Sequence, residues 1–157
     1  MRWTADFFAE KGIDTGRLDA ELLLADALGL DRVGLYVNFD RPLTAEELSG
    51  FRKRVKRRAQ REPVQYILGE TEFWSLSLHV GPEVLIPRAD TEVLVEEILR
   101  RLDGPAEMID VGTGSGAIAI AVAHEKSLVK VTAIDCSTAA LNIARGNAER
   151  HGLTPRI

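Results

Sequence analysis

Apolar residues recur at helical spacing through the first 62 residues. Trp3, Phe7 and Phe8 predict a first helix that stops at Gly12. Leu18, Leu22, Ala25 and Leu28 predict a second helix ending at Gly29, and a short third segment covers 32–38. Thr44 with Glu47 forms a capping box, which opens a long helix running to about Arg61 and halted by Pro63. Together these segments predict a small helical bundle.

The period then shifts from helical to alternating. The stretch EFWSLSLHV (72–80) is rich in aromatic and β-favouring residues and predicts one or two strands. GPEVLIPRAD (81–90) follows as a loop with two prolines. Asp90 or Thr91 is expected to cap a helix whose buried side carries Val93, Leu94, Ile98 and Leu102, ended by Gly104-Pro105. Next come a strand at 107–111, a helix at 115–124, a strand at 129–134 and a helix at 137–151, capped by Ser137 and stopped by Gly152. A β-α-β-α order predicts a parallel sheet. The expected fold is mixed: an N-terminal helical bundle over 1–68, a β-hairpin and loop over 69–87, and the first part of a Rossmann-like α/β sheet over 88–157.

The chemistry concentrates in IDVGTGSGAIAIAVA (109–123), where an apolar strand runs through glycines into an apolar helix. Three readings compete. The glycines can simply make a tight turn. Gly112, Gly114 and Ala117 also satisfy the dinucleotide fingerprint G-x-G-x-x-G/A, with Asp135 about 20 residues further on. The third reading starts from Asp110, which ends the strand two positions before the first glycine, so that the loop reads D-x-G-x-G-x-G through Gly112, Thr113, Gly114, Ser115 and Gly116. A carboxylate there opposes a pyrophosphate and suits a cationic group such as an amine or a sulfonium. Asp135, at the end of the next strand, can accept both hydroxyls of a ribose. Adenosine joined to a zwitterionic amino acid fits this set better than NAD does, which makes S-adenosylmethionine the expected cofactor.

Composition narrows the class further. Hydrophobic residues at 45% and charged residues at 28% are ordinary for a globular protein. The longest apolar run, 117–123, is far below the roughly 20 residues of a membrane helix. No apolar signal segment is visible at the start, and the single cysteine, Cys136, excludes an intrachain disulfide, so a reducing cytoplasm is the expected setting. The net charge of −4 falls entirely on residues 71–157, because residues 1–70 hold 12 Lys/Arg against 12 Asp/Glu. Three scattered histidines and one cysteine give no metal-ligand spacing.

The stretches GETEFWSLSLHV (69–80), VLIPRADTEVLVEEIL (84–99), IDVGTGSGAIAIAVA and VTAIDCSTAALNIARGNAERHGL (131–153) resemble the release factor glutamine methyltransferases, the HemK/PrmC family. The resemblance implies a class I methyltransferase sheet behind a helical substrate-recognition domain. It also implies methylation of the glutamine nitrogen in the Gly-Gly-Gln motif of peptide chain release factors during translation termination. By position, Gly112 to Gly116 would line the S-adenosylmethionine site and Asp135 would hold its ribose. Arg88, Asp90 and Glu92 would sit beside the site mouth, or merely form a proline-ordered turn and helix cap. Phe73 and Trp74 are expected in the core. The family's Asn-Pro-Pro-Tyr motif, which grips the target amide, is missing, since no asparagine here precedes a proline. The sequence therefore reads as an N-terminal portion of the family with no catalytic residue of its own, expected to be inactive alone. The alternatives are a non-catalytic binding module for a release factor and a dinucleotide-binding oxidoreductase domain. Nucleic acid is expected only indirectly, through the ribosome, and no membrane partner is expected.

Two further expectations concern surfaces. FRKRVKRRAQR (51–61) places seven cations on one helix, read either as a solvated face or as a docking surface for an acidic partner, with Arg54, Arg57 and Arg58 exposed. The sheet's last strand and the apolar faces of the helices at 115–124 and 137–151 are expected to lack cover, so the chain should associate with itself.

Overall fold

The computed structural model describes all 157 residues, Met1 to Ile157, in two compact units, Met1–Leu68 and Gly69–Ile157. The first is helical: α1 (Arg2–Glu10), α2 (Gly16–Leu28), α3 (Arg32–Val37), α4 (Ala45–Ala59) and α5 (Val64–Leu68). The capping box forms as the sequence predicts, with Glu47 N–H donating to Thr44 Oγ1 at 3.2 Å and Thr44 N–H donating to Glu47 Oε2 at 2.9 Å. Helix α5 is a turn not foreseen in the pattern. Pro63 starts it by accepting from the Tyr66 and Ile67 amides, and it exists to bury Val64 and Ile67 in the bundle.

Helix α2 is the centre of the bundle; Ala25 of the expected stripe is buried and Leu22 and Leu28 pack against the core, but the buried side is wider than that stripe and leaves out Leu18. Leu18 is exposed, whereas Ala20, Leu23, Leu24 and Ala25 are buried together with two acids, Asp19 and Glu21. A leucine count misplaces the face because ion pairs allow those acids inside. Arg58 Nε donates to Asp19 Oδ2 at 2.6 Å. Glu21 accepts from Arg32 Nη2 at 2.7 Å, from the Tyr36 hydroxyl at 2.8 Å and from Arg17 Nε at 3.2 Å. The Arg32 and Tyr36 donors hold the Glu21 carboxyl below the usual carboxylate range.

These pairs also correct the expectation for the basic helix. Arg54 pairs with Asp26, Arg57 with Glu62 and Arg58 with Asp19, while Arg61, at φ 72°, donates to the Lys11 and Gly12 carbonyls. Arg54 and Arg58 are thus parts of the bundle rather than a free surface, while Arg57 is exposed as expected but paired with Glu62. Arg52, Lys53 and Lys56 stay exposed and form no ion pair.

The second unit opens with an antiparallel hairpin, β1 (Glu70–Phe73) and β2 (Leu76–His79), in which Phe73 pairs with Leu76. The two-residue turn places Trp74 and Ser75 at φ 53° and 57°, both in the left-handed region that hairpin turns of this length use. Then follow α6 (Ala89–Arg101), β3 (Ala106–Val111), α7 (Ala117–Glu125), β4 (Val129–Ile134) and α8 (Thr138–Arg150). Strands β3 and β4 are parallel, with Asp110 opposite Ala133. Ser137 caps α8 by accepting from the Ala140 amide at 3.2 Å.

Helix α6 differs from expectation on two points. No side chain caps it, and Arg88 occupies the cap position. Val93 and Leu94 are exposed, and Val95 is the residue fully buried, with Ile98, Leu99 and Leu102 packed against the core. The uncovered apolar surface also lies elsewhere than predicted. Ala117 and Ala119 to Ala123 of α7, and Ala140, Ala144 and Ala148 of α8, are all buried. The exposed face belongs to the sheet, where Ile109 is 65%, Val111 78% and Ile134 44% exposed. Alternation explains this: along β3, Met108 and Asp110 lie on the covered side, and Ile109 and Val111 lie on the other. No helix is long and apolar enough to cross a membrane.

Because Asp19 is 2% exposed and Arg58 shields it, Arg58→Ala is expected to cost about 3 kcal/mol by stranding a buried carboxylate. Arg57→Ala, which opens a half-exposed pair, should cost under about 1 kcal/mol. Urea denaturation of the two variants separates them, and equal losses would remove the structural role assigned to Arg58.

Candidate functional site

The glycine loop joins the end of β3 to the start of α7, beside the end of β4. Its backbone is fixed by its own amides. Gly112 and Thr113 N–H donate to the Ile134 carbonyl at 2.8 and 3.0 Å, and Gly116 N–H donates to the Thr113 carbonyl at 2.8 Å. Gly114 N–H donates to Asp135 Oδ2 at 3.0 Å, and Ser137 N–H donates to Asp135 Oδ1 at 2.9 Å. These two amides, Ser137 first, hold the Asp135 carboxyl below the usual carboxylate range, so it is anionic at neutral pH. Asp110 is buried and its Oδ2 accepts the Thr113 hydroxyl at 2.7 Å. The seven residues singled out in the sequence thus form one continuous loop-and-strand-end group, carrying two carboxylates.

The three glycines have different reasons to be there. All lie at positive φ: 79° at Gly112, 55° at Gly114 and 81° at Gly116. At Gly112 and Gly114 an added Cβ would meet no protein atom within 4 Å. Their bare backbone therefore faces open space, as a loop that lets a ligand come close requires. At Gly116 a Cβ would lie 3.0 Å from Ile120 Cδ1 and 3.2 Å from Ala144 Cβ, so this glycine lets the loop settle on α8.

One residue the sequence reading missed controls the loop. Asn147 of α8 is fully buried. Its Nδ2 donates to the Ser115 carbonyl at 2.9 Å and to the His79 carbonyl at 3.0 Å, while its Oδ1 accepts the His79 amide at 2.7 Å. It thereby ties the end of the hairpin to the glycine loop. The signal was present: Asn147 lies on the same helical stripe as Ala140, Ala144 and Ala148, a lone amide among small apolar residues.

The hairpin has a second anchor. Trp74 N–H donates to Glu92 Oε1 at 2.8 Å, and its indole Nε1–H donates to Glu125 Oε1 at 3.0 Å. Holding two non-glycine residues in the left-handed region costs about 1–2 kcal/mol each, and these bonds offset that strain. Of the residues left between a site role and a packing role, Phe73 is core, Trp74 is half-buried at the turn, and Glu92 is its anchor. Arg88 and Asp90 are exposed.

A helical bundle followed by a parallel strand–glycine loop–helix unit, with a carboxylate at the end of each strand, defines an α/β protein with a candidate cofactor loop. Sequence comparisons refine that class. Residues 1–69 match the PrmC N-terminal domain, and residues 88–157 match the methyltransferase small domain. A release factor glutamine methyltransferase of Geobacter sulfurreducens is 55% identical over 152 residues, covering 97% of this chain and 54% of its own length. Relatives of the same name from Chlorobaculum tepidum and Rhodopirellula baltica are 47% and 43% identical, each covering the whole chain and 56% and 55% of their own length. An S-adenosylmethionine-dependent methyltransferase of Geobacter sulfurreducens, solved with S-adenosyl-L-homocysteine, aligns over 45% of this chain and 27% of its own, at 27% identity and a TM-score of 0.38. The chain belongs to the release factor glutamine methyltransferase family, and it spans about half the length of the curated relatives it matches.

Asn147→Ala adds no bulk to this buried site and removes three hydrogen bonds, leaving backbone groups of His79 and Ser115 without partners. It is expected to cost about 3 kcal/mol. It should also raise amide exchange at both Gly116 and Val80. Exchange that rises at neither position, read by mass spectrometry, would refute the coupling.

Proposed function

We propose that this chain supplies the cofactor loop and the N-terminal region of an S-adenosylmethionine-dependent methyltransferase that modifies the Gly-Gly-Gln glutamine of peptide chain release factors. In this reading residues 1–68 are a substrate-recognition domain, 69–87 a hairpin linker and 88–157 part of the cofactor domain. One observation carries the cofactor assignment over a dinucleotide. The amides of Gly112, Thr113, Gly114 and Gly116 are all committed to internal acceptors. That leaves a pyrophosphate fewer donors in the loop, and the Asp110 carboxylate at the strand end opposes its charge. What the loop offers instead is carboxylate.

The residues divide the work as follows. Asp135, already oriented by the Ser137 and Gly114 amides, accepts the ribose hydroxyls with its remaining lone pairs. Asp110, held by Thr113, faces the cationic amino-acid end. Gly112 and Gly114 allow close approach, while Ser115 and Gly116 seat the loop on α8. S-adenosylmethionine supplies an electrophilic methyl group on a sulfonium. The chain's residues bind and orient, and none of them moves a proton. The chain contains no Asn-Pro pair to grip a glutamine amide, so it is expected to bind cofactor without turnover.

Calorimetry with S-adenosyl-L-homocysteine and NAD tests this. The first should bind and the second should not, and Asp135→Ala should weaken binding about tenfold or more. Because the Asp135 carboxyl is held low and the charged form binds, affinity should be flat from about pH 8 to pH 5 and fall only as the carboxyl protonates. Equal affinity in the variant would remove Asp135 from the ribose, and labelled methyl transfer to a purified release factor would overturn the expected inactivity.

The exposed sheet face supports a second proposal, that the isolated chain self-associates through Ile109, Val111 and Ile134. Light scattering should show concentration-dependent growth that Val111→Lys suppresses. A monomer across the range would contradict it.

A further inference from the structure

Helices α1 and α4 both pack on α2, and between them runs an open groove of about 630 Å³. Its floor is apolar and well fixed: Leu24 of α2 and Phe51 and Val55 of α4 are each under 9% exposed. One wall is an aromatic pair on α1, Trp3 and Phe7, stacked with ring centroids 5.3 Å apart and planes 4° from parallel. Trp3 is 71% exposed. The opposite rim carries Arg52 and Lys56, one turn apart on α4, with Lys53 beside them.

These three are the cations of α4 that the bundle does not use. Arg54, Arg57 and Arg58 are consumed by Asp26, Glu62 and Asp19, and Arg61 by backbone carbonyls. Arg52, Lys53 and Lys56 have no acid of their own. We propose that this groove docks an acidic amphipathic helix of a protein partner, its apolar face on Leu24, Phe51 and Val55 and its carboxylates on Arg52 and Lys56.

The geometry selects that occupant. Two helices leaning on a third leave a trough into which a further helix packs ridge into groove. An exposed tryptophan on the wall is the residue type that dominates such contacts. A nucleic acid fits less well, because its affinity grows with the number of phosphates neutralised, and the groove offers a short cationic rim beside an apolar floor with no row of stacking platforms along it. The inference concerns only the first unit and does not depend on cofactor binding or methyl transfer, so either can fail without the other.

The test uses the full chain and a fluorescein-labelled helical peptide of about 15 residues, with leucines at every third and fourth position and glutamates flanking them. Fluorescence anisotropy should show saturable binding that weakens as salt rises. Arg52→Glu with Lys56→Glu should weaken it about tenfold or more, and Trp3→Ala likewise. Lys130→Glu, in the other unit, should change nothing. Circular dichroism checks that each variant keeps its fold, which is expected because all the altered side chains are exposed. The proposal is overturned if the same peptide with lysine in place of glutamate binds equally well. It is overturned too if the rim reversals leave affinity intact, or if a single-stranded oligonucleotide or anionic vesicles occupy the groove while the peptide does not.

Discussion

The arrangement of the second unit depends on the buried amide of Asn147. Its three hydrogen bonds reach two segments far apart in sequence, the last residue of the hairpin and the middle of the glycine loop. To His79 it behaves as a strand neighbour would, satisfying both backbone groups at once. One helical turn earlier, Ala144 presses on Gly116. Helix α8 thus fixes the loop from one side by an amide and a methyl group. The end of β4 fixes it from the other, through the Ile134 carbonyl and Asp135. A site that must hold a ligand needs this kind of support, because a loop free to shift by an ångström loses its pre-organised geometry.

That clamping has a chemical consequence. A phosphate-binding loop keeps its amides pointed outward and unshared. Here those of Gly112, Thr113, Gly114 and Gly116 turn inward and are spent on the strand end, the loop itself and Asp135. The same bonds that consume donors also orient an acceptor, since Asp135 is held by the Gly114 and Ser137 amides together. Where those N–H groups go favours a ligand that meets carboxylate over one that needs many free amides. The sequence cannot express that, because the spacing of glycines is the same in both cases.

Much of the architecture was legible in the sequence because it rests on local rules. The Thr44–Glu47 capping box, the Ser137 cap and the strand at 129–134 all follow from residues within a few positions of each other. The misreadings share a different cause. The apolar spacing puts Leu18 in the core of α2 and Val93 and Leu94 in the core of α6, yet all three are exposed. In α2 the interior instead takes Asp19 and Glu21, whose partners lie up to 39 residues away. Hydrophobicity along a helix cannot reveal a buried carboxylate whose arginine comes from another helix. The carboxylates Asp110 and Asp135 were found as site candidates because their places at strand ends are a local property. Asn147 was missed because its importance lies entirely in long-range bonds.

The basic run of α4 shows the same principle acting on function. By composition the first 70 residues are neutral, which argues against any charged surface. Charge, however, is cancelled pair by pair rather than on average. Asp19, Asp26 and Glu62 each neutralise a specific arginine, and the geometry of α4 decides which ones. Arg54 and Arg58, four apart, turn toward α2, where Asp26 and Asp19 wait; Arg52 and Lys56, also four apart, turn toward the trough beside α1. One helix therefore carries a structural row and a free row of cations, two positions out of phase. The neutral total conceals a local positive rim, and that rim borders the apolar floor of the same bundle.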